Sequence, residues 1–221
     1  MCNRYRQAPR EKISTYGLLT VPTPFPSGDV FPRGNGSFIR PGASGGRELV
    51  AGQWGLVPHF AKSRILTYST NNARFEGVKT AASYKLPWTK GQRCIIPAEV
   101  FWEPCWESGK NEWWAFRRAD GHSWSLAGLW ATWVDRETGE VVESYTMLTQ
   151  NADHHPLMRR MHKPDPKLGS DQQDKRSVVV LEKSDLDAWL NGSPEEAERL
   201  IRLTPAEAFD ARPDRPEAQP R

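Results

Sequence analysis

Nowhere in the 221 residues does an apolar run approach the ~18 needed to span a membrane, and no basic start followed by an apolar stretch marks a signal peptide. Cysteine is scarce. Cys2, Cys94 and Cys105 are odd in number and form no CxxC pair, which argues against a disulfide framework or a zinc ribbon and for a reduced, cytoplasmic protein. His154 and His155 are adjacent rather than four apart, so a zinc-binding helix is not expected, and neither a metal nor a cofactor is assigned. The glycine-rich fingerprints of nucleotide binding, GxxxxGK and GxGxxG, are missing. The net charge of +3 is too small to point to a nucleic-acid partner by itself.

What is present fits an ordinary globular chain: 38% hydrophobic and 26% charged residues, with length for one substantial domain. Ten tryptophans are many for this length; most belong in a core, and some could be stacking platforms for bases. Short strands are expected at 37–40, 48–54, 93–96, 100–102, 112–117, 123–134, 144–149 and 177–181. Asp120-Gly121 is a hairpin signal that would make 112–117 and 123–134 neighbours. The spacing of Ile13, Tyr16 and Leu19 predicts a helix over 9–19, while 67–76 reads as an irregular loop and 154–162 as a helical turn. Ser184 could cap a helix carrying Leu186, Trp189 and Leu190, and Ser193-Pro194-Glu195-Glu196 is a capping box.

Many short strands with helices at the edges predict an α+β fold: a single domain on a curved, mostly antiparallel, barrel-like β-sheet with peripheral helices. The domain is placed over 1–203. Residues 204–221, with little apolar surface, are expected to form a largely disordered tail. No repeat or internal linker interrupts the chain, and a monomer is expected.

The chemistry concentrates at Met1-Cys2. With Met1 removed, Cys2 would carry an α-amine and a thiol on adjacent carbons, a pair no internal cysteine offers. The amine can condense with an aldehyde to an imine, and the thiol can close onto the imine carbon to give a thiazolidine. Ordinary pKa values near ~8 for the amine and ~8.5 for the thiol leave both a modest push from reactivity. The same start also permits acyl transfer by an N-terminal nucleophile, or an inert frayed terminus.

Few polar groups could work with it. Glu103 ends the aromatic run Phe101-Trp102, where desolvation would raise its pKa and suit it to shuttle protons. His162 could protonate a leaving oxygen. Asn72 and Arg74 share an Asn-Ala-Arg turn in which an amide could orient a reacting group and a guanidinium grip a phosphate. Trp54, before Gly55, could present an indole to a base. Arg4 and Arg6 would set positive charge beside a phosphate chain and favour the thiolate.

In chain order the segments Met-Cys-Asn-Arg-Tyr at 1–5, Trp-Gly-Leu-Val-Pro at 54–58, Asn-Ala-Arg-Phe-Glu at 72–76, Arg-Cys-Ile-Ile-Pro-Ala at 93–98, Phe-Trp-Glu at 101–103 and Met-His-Lys-Pro at 161–164, with Lys-Arg-Ser-Val-Val-Val-Leu at 175–181, make a series. That ordered series resembles the SOS response-associated peptidase (SRAP) family of abasic-site processing proteins, over about residues 1 to 190. The resemblance implies self-removal of Met1 and a covalent bond from Cys2 to abasic sites in single-stranded DNA. By it, Cys2 is the nucleophile, Asn72 and Glu103 its partners and His162 the catalytic histidine, while Arg4, Trp54 and Arg74 lie along the DNA path. It also implies a cytoplasmic protein that is nucleoid-associated when bound to DNA. Three features depart from the pattern: Asn3 where many members have glycine, an apparent insertion over 165–174, and the ending from Thr204. The residues alone leave two alternatives open, an N-terminal-cysteine amidotransferase and a non-catalytic single-stranded DNA-binding module.

Overall fold

Phe38 and Ile39, Cys94 and Ile95, Leu126 and Ala127, Met147 and Leu148 are consecutive residues whose side chains enter two different hydrophobic clusters. A strand sends alternate side chains to opposite faces, so strands covered on both faces read as continuous apolar runs. The computed structural model describes residues 1–169 and 171–214. Its strands are Tyr5–Gln7 (β1), Leu18–Thr20 (β2), Asp29–Val30 (β3), Asn35–Pro41 (β4), Arg47–Trp54 (β5), Asn72–Arg74 (β6), Arg93–Cys105 (β7), Glu112–Arg118 (β8), Trp124–Val134 (β9), Val141–Asn151 (β10), Arg176–Val178 (β11) and Phe209–Pro213 (β12). The helices are short: Arg10–Ile13 (α1), Ala82–Thr89 (α2), Leu186–Asn191 (α3) and Pro194–Arg199 (α4). No helix among the described residues is long and apolar enough to cross a membrane.

Five strands close on themselves. β10 pairs β5, β5 pairs β4, β4 meets β7 at Ile39↔Ile95, β7 pairs β9, and β9 returns to β10. A closed ring leaves none of these strands a free edge. One cluster gathers Tyr5, Trp54, Phe101, Trp124 and Tyr145; the other gathers Ile39, Leu49, Ile95 and Leu129 with Trp88 of α2 and Trp189 of α3. Five strands enclose too little room for a helix, so the second cluster is the outer one. The fold is therefore the expected α+β domain, a five-strand barrel with outer strands and peripheral helices.

Beyond Ala98, β7 leaves the ring and carries a wing. β1 pairs one edge (Tyr5↔Phe101) and β3 extends it; β8 pairs the other edge (Phe101↔Phe116) and β12 extends that. This wing brings the N-terminus alongside the Phe101–Cys105 half of β7.

Several expectations are corrected. β8 and β9 are not a hairpin: they lie end to end along one edge of β7, on residues 101–105 and 93–98, and Asp120 only turns the link by accepting from the His122 N–H at 3.0 Å. The helix over 9–19 stops at Tyr16, because Gly17 takes a left-handed conformation (φ 65°) and releases Leu18 into β2. The 67–76 loop contains β6, which pairs in parallel with β10. A 3-10 turn, Lys183–Asp185, starts the helix ahead of α3, so Ser184 is not its cap; the capping box at Ser193 and Glu196 forms as expected. Gly42-Ala43-Ser44-Gly45-Gly46 matches the GxSxG string of serine hydrolases, yet it joins antiparallel β4 to β5, where no strand-to-helix elbow exists. The tail expected from 204 is structured as far as 214: β12 pairs β8 and Phe209 packs against Phe116 and Trp124. Residues 215–221 lie outside the described residues.

Candidate active site at the N-terminus

The terminus is held from three directions. Tyr5 of β1 pairs with Phe101 of β7, and the Trp102 N–H donates to the Arg4 carbonyl at 3.0 Å. From the second direction, Asn72, at the start of β6, donates from Nδ2 to the Cys2 carbonyl at 2.6 Å. Asn71 donates to the same oxygen at 3.2 Å. From the third, the Met1 ammonium stands 3.6 Å from Glu103 Oε2, and His162 Nε2 lies 2.9 Å from that oxygen. A carboxylate only accepts, so Nε2 carries the proton in that bond.

His162 adopts a left-handed backbone (φ 63°), a region a non-glycine residue occupies only when its surroundings impose it. Its N–H donates to the Pro104 carbonyl at 2.6 Å, and Lys175 Nζ donates to the Met161 and His162 carbonyls, both at 2.7 Å. The imidazole is thereby aimed at Glu103. Under the terminus, the hydroxyls of Tyr5 and Tyr145 share a very short hydrogen bond, and a Cβ at position 36 would overlap both, so Gly36 is required there.

The electrostatics differ from expectation in two ways. Glu103 is 1% exposed, and burial does act to raise its pKa, but the Met1 ammonium and His162 outweigh burial and hold the carboxyl below its usual range. The Cys2 thiol is fully buried; burial pushes it well above the usual value and the neighbouring Glu103 charge adds to the rise. Arg4 and Arg6 do not favour the thiolate as expected, because both guanidiniums turn to Asp29 (2.6 Å each). The thiol donates instead to the Arg4 carbonyl at 3.3 Å.

Cys2, Asn72, Glu103 and His162 thus meet in one place. The three residues expected along a DNA path fare differently. Arg4 stacks 3.8 Å over the Trp102 ring and also pairs with Asp214 at 3.3 Å. Arg74 is exposed on β6 and pairs with Asp174 at 2.6 Å. Trp54 offers no face for a base: it is fully buried, edge-on to Tyr5 with ring centres 5.0 Å apart, and its indole N–H donates to the Asn71 carbonyl at 2.8 Å. That indole positions the loop holding Cys2. Asn71, Lys175 and the tyrosine pair were missed by sequence reasoning; the doubled Asn71-Asn72 was the one available signal. Among the described residues no group of three or more His, Cys, Asp or Glu is placed to hold a metal ion.

A family model described as SOS response associated peptidase (SRAP) matches residues 1–216. "Abasic site processing protein HMCES" of Xenopus tropicalis is 29% identical over 147 residues, which cover 57% of this chain and 43% of that protein. "Abasic site processing protein YoqW" of Bacillus subtilis (strain 168) is 30% identical over 124 residues, 56% of this chain and 54% of that one. The matched stretch therefore spans about half or less of these relatives. A solved structure of a protein from Bordetella bronchiseptica superposes with a TM-score of 0.85 at 33% identity, covering 97% of this chain and all (100%) of the other. One from Bacteroides thetaiotaomicron reaches a TM-score of 0.80 at 22% identity over 97% of this chain and 92% of its own, a likeness of fold alone.

Proposed function

This chain belongs to the SOS response associated peptidase (SRAP) family, and from that premise we propose that it processes abasic sites by binding single-stranded DNA and bonding Cys2 to the abasic aldehyde. The observation that carries the reading is the line Met1 ammonium–Glu103–His162, set beside a Cys2 whose carbonyl is clamped by two amides. Hydrolysis of the Met1–Cys2 peptide bond releases methionine and leaves a Cys2 amine beside the same carboxylate. We assign that self-removal to the same site.

An abasic deoxyribose equilibrates with a ring-opened aldehyde; opening moves one proton onto the ring oxygen and removes one from the anomeric hydroxyl. Glu103 and His162, already sharing a proton across 2.9 Å, are suited to both transfers. The amine attacks the aldehyde carbon, water leaves, and an imine forms. The thiol then adds to the imine carbon: a C–S bond forms, the thiol proton passes to nitrogen, and the ring is a thiazolidine. Because burial keeps the thiol protonated, the amine acts first. If closure lags, the imine acidifies the adjacent sugar carbon, which loses a proton as the 3′ phosphate departs. That β-elimination nicks the strand.

The test is a denaturing gel of the protein with single-stranded DNA carrying one abasic site. A durable slow band is expected only with the abasic site. Cys2→Ser keeps an amine but has a poor ring-closing hydroxyl, so it should give little adduct and more nicked DNA. Blocking the amine with an uncleavable extension should abolish the band too. Equal bands with intact DNA, or a full-strength adduct from the blocked-amine protein, would refute the thiazolidine reading.

A further inference from the structure

Asn71 stands outside the set of catalytic residues assigned above, yet it is the most thoroughly engaged amide near Cys2. It is 3% exposed, and each polar group of its side chain has a partner. The Ser69 hydroxyl donates to Oδ1, while Nδ2 donates to the Cys2 carbonyl at 3.2 Å and to Asn3 Oδ1 at 3.1 Å. Its backbone is pinned as well, since its carbonyl accepts from the Trp54 indole at 2.8 Å and from the Met147 N–H at 2.9 Å. Asn71 is therefore fixed to the barrel itself, through β5 and β10.

Asn72 brings a second donor to the same Cys2 oxygen at 2.6 Å. Two donors match the two lone pairs of a carbonyl oxygen and fix the plane of that group. The feature matters most after Met1 has gone. Residue 2 then loses its N-terminal peptide tether, and the carbonyl clamp keeps its α-carbon, the atom that carries the amine and bears the thiol arm, in place. Asn3 completes the clamp by taking the remaining Nδ2 proton of Asn71. A glycine there, as the family resemblance leads one to expect, has no side chain to do so.

We propose that Asn71, with Asn3 as its second acceptor, is a positioning residue that holds the freed Cys2 so that the thiol closes on the imine before the strand is eliminated. The inference rests on the aminothiol reading of Cys2. It assigns Asn71 a specific consequence, control of the partition between durable crosslink and nicked DNA. Placement errors of about 1 Å can cost on the order of a hundredfold in rate, so a loosened clamp should be visible in both numbers.

The experiment compares wild type, Asn71→Ala, Asn71→Asp and Asn3→Ala, each checked by intact mass for Met1 removal, in single-turnover reactions with abasic single-stranded DNA. Asn71→Asp preserves size and backbone contacts while replacing the donor with an acceptor, which guards against a packing explanation. Crosslinking at saturating DNA should fall about tenfold or more in both Asn71 variants, and less in Asn3→Ala. The ratio of crosslink to nick should fall with it, while affinity for intact single-stranded DNA stays as in wild type. Wild-type rate and partition in both Asn71 variants would overturn the clamp alone. A slower reaction with an unchanged partition and a lowered melting temperature would also overturn it, leaving Asn71 as scaffold. A wild-type protein that forms no durable band would remove the function and the clamp together.

Discussion

Glu103 is a buried carboxylate kept ionised by its neighbours, and this has a measurable sign. The folded chain binds the Glu103 proton more weakly than an unfolded chain, whose glutamate titrates near ~4.3. Its contribution to stability is thus fully present above that pH and is lost as the pH falls through the lower folded value. The melting-temperature gap between wild type and Glu103→Gln should be largest near neutral pH and close below about pH 4. A gap that persists undiminished to about pH 3 would mean that folding does not lower the pKa of this carboxyl. Trp54 makes a contrasting case. Since its indole is fully buried against Tyr5, Trp54→Ala should cost about 3–5 kcal/mol in denaturant unfolding, with DNA binding failing only as the fold fails. Normal stability with selectively lost DNA binding would restore the stacking role.

At the scale of elements, two guanidiniums expected to meet phosphate are already paired, and each of the two segments that depart from the family pattern supplies a carboxylate to one of them, beside Asp29 in the case of Arg4. Asp174 closes the apparent insertion and pairs with both Arg74 and Arg176; Asp214 follows β12 and pairs with Arg4. An exposed pair is worth about 0.2–1 kcal/mol, so Asp174→Asn should tighten binding of intact single-stranded DNA by up to about fivefold. Arg74→Ala should weaken it and lower the log–log salt slope by about 0.7. In an Arg74→Ala background the Asp174 effect should vanish; a surviving effect would be generic charge. The elements also explain what could be read in advance. The longer strands were legible because apolar and aromatic content is local, but the short ones and the pairing of all of them were not. Pro97 split β7 into two expected strands, although its carbonyl still accepts from the Ala8 N–H and Gln7 Nε2. The Asp-Gly turn signalled a hairpin, although β7 is long enough to seat both flanking strands in line. The site joins residues 2, 72, 103 and 162, whose separations carry no local pattern, so only the ordered motif series brought them together. Asn71 was hidden because, apart from its doubling with Asn72, nothing local distinguishes a clamping amide from a turn asparagine.

For the molecule as a whole, the boundary expected at 203 falls inside the folded unit. β12 covers the outer edge of β8, Phe209 fills a gap beside Phe116, Trp124 and His155, and the Thr204 carbonyl bonds His155 Nε2 at 2.8 Å. A chain ended at Leu203 would lose that aromatic, worth about 3–5 kcal/mol, and bare a strand edge prone to pairing with other chains. Thermal unfolding and sedimentation should show a lower melting temperature and self-association. Equal stability and a single species would place β12 outside the cooperative unit.

The left-handed turn at His162, braced by Lys175, has a consequence for the order in which the protein is made. Cys2 is made before every group it faces: the carboxylate comes at 103, the imidazole at 162 and the lysine that fixes that imidazole at 175. Contacts so distant along the chain form late in folding. If Met1 leaves through this pocket, the Cys2 amine stays in its peptide bond for most of synthesis, and no 1,2-aminothiol is present to trap stray cellular aldehydes as a thiazolidine. The nucleophile is then unmasked only in molecules that have finished folding.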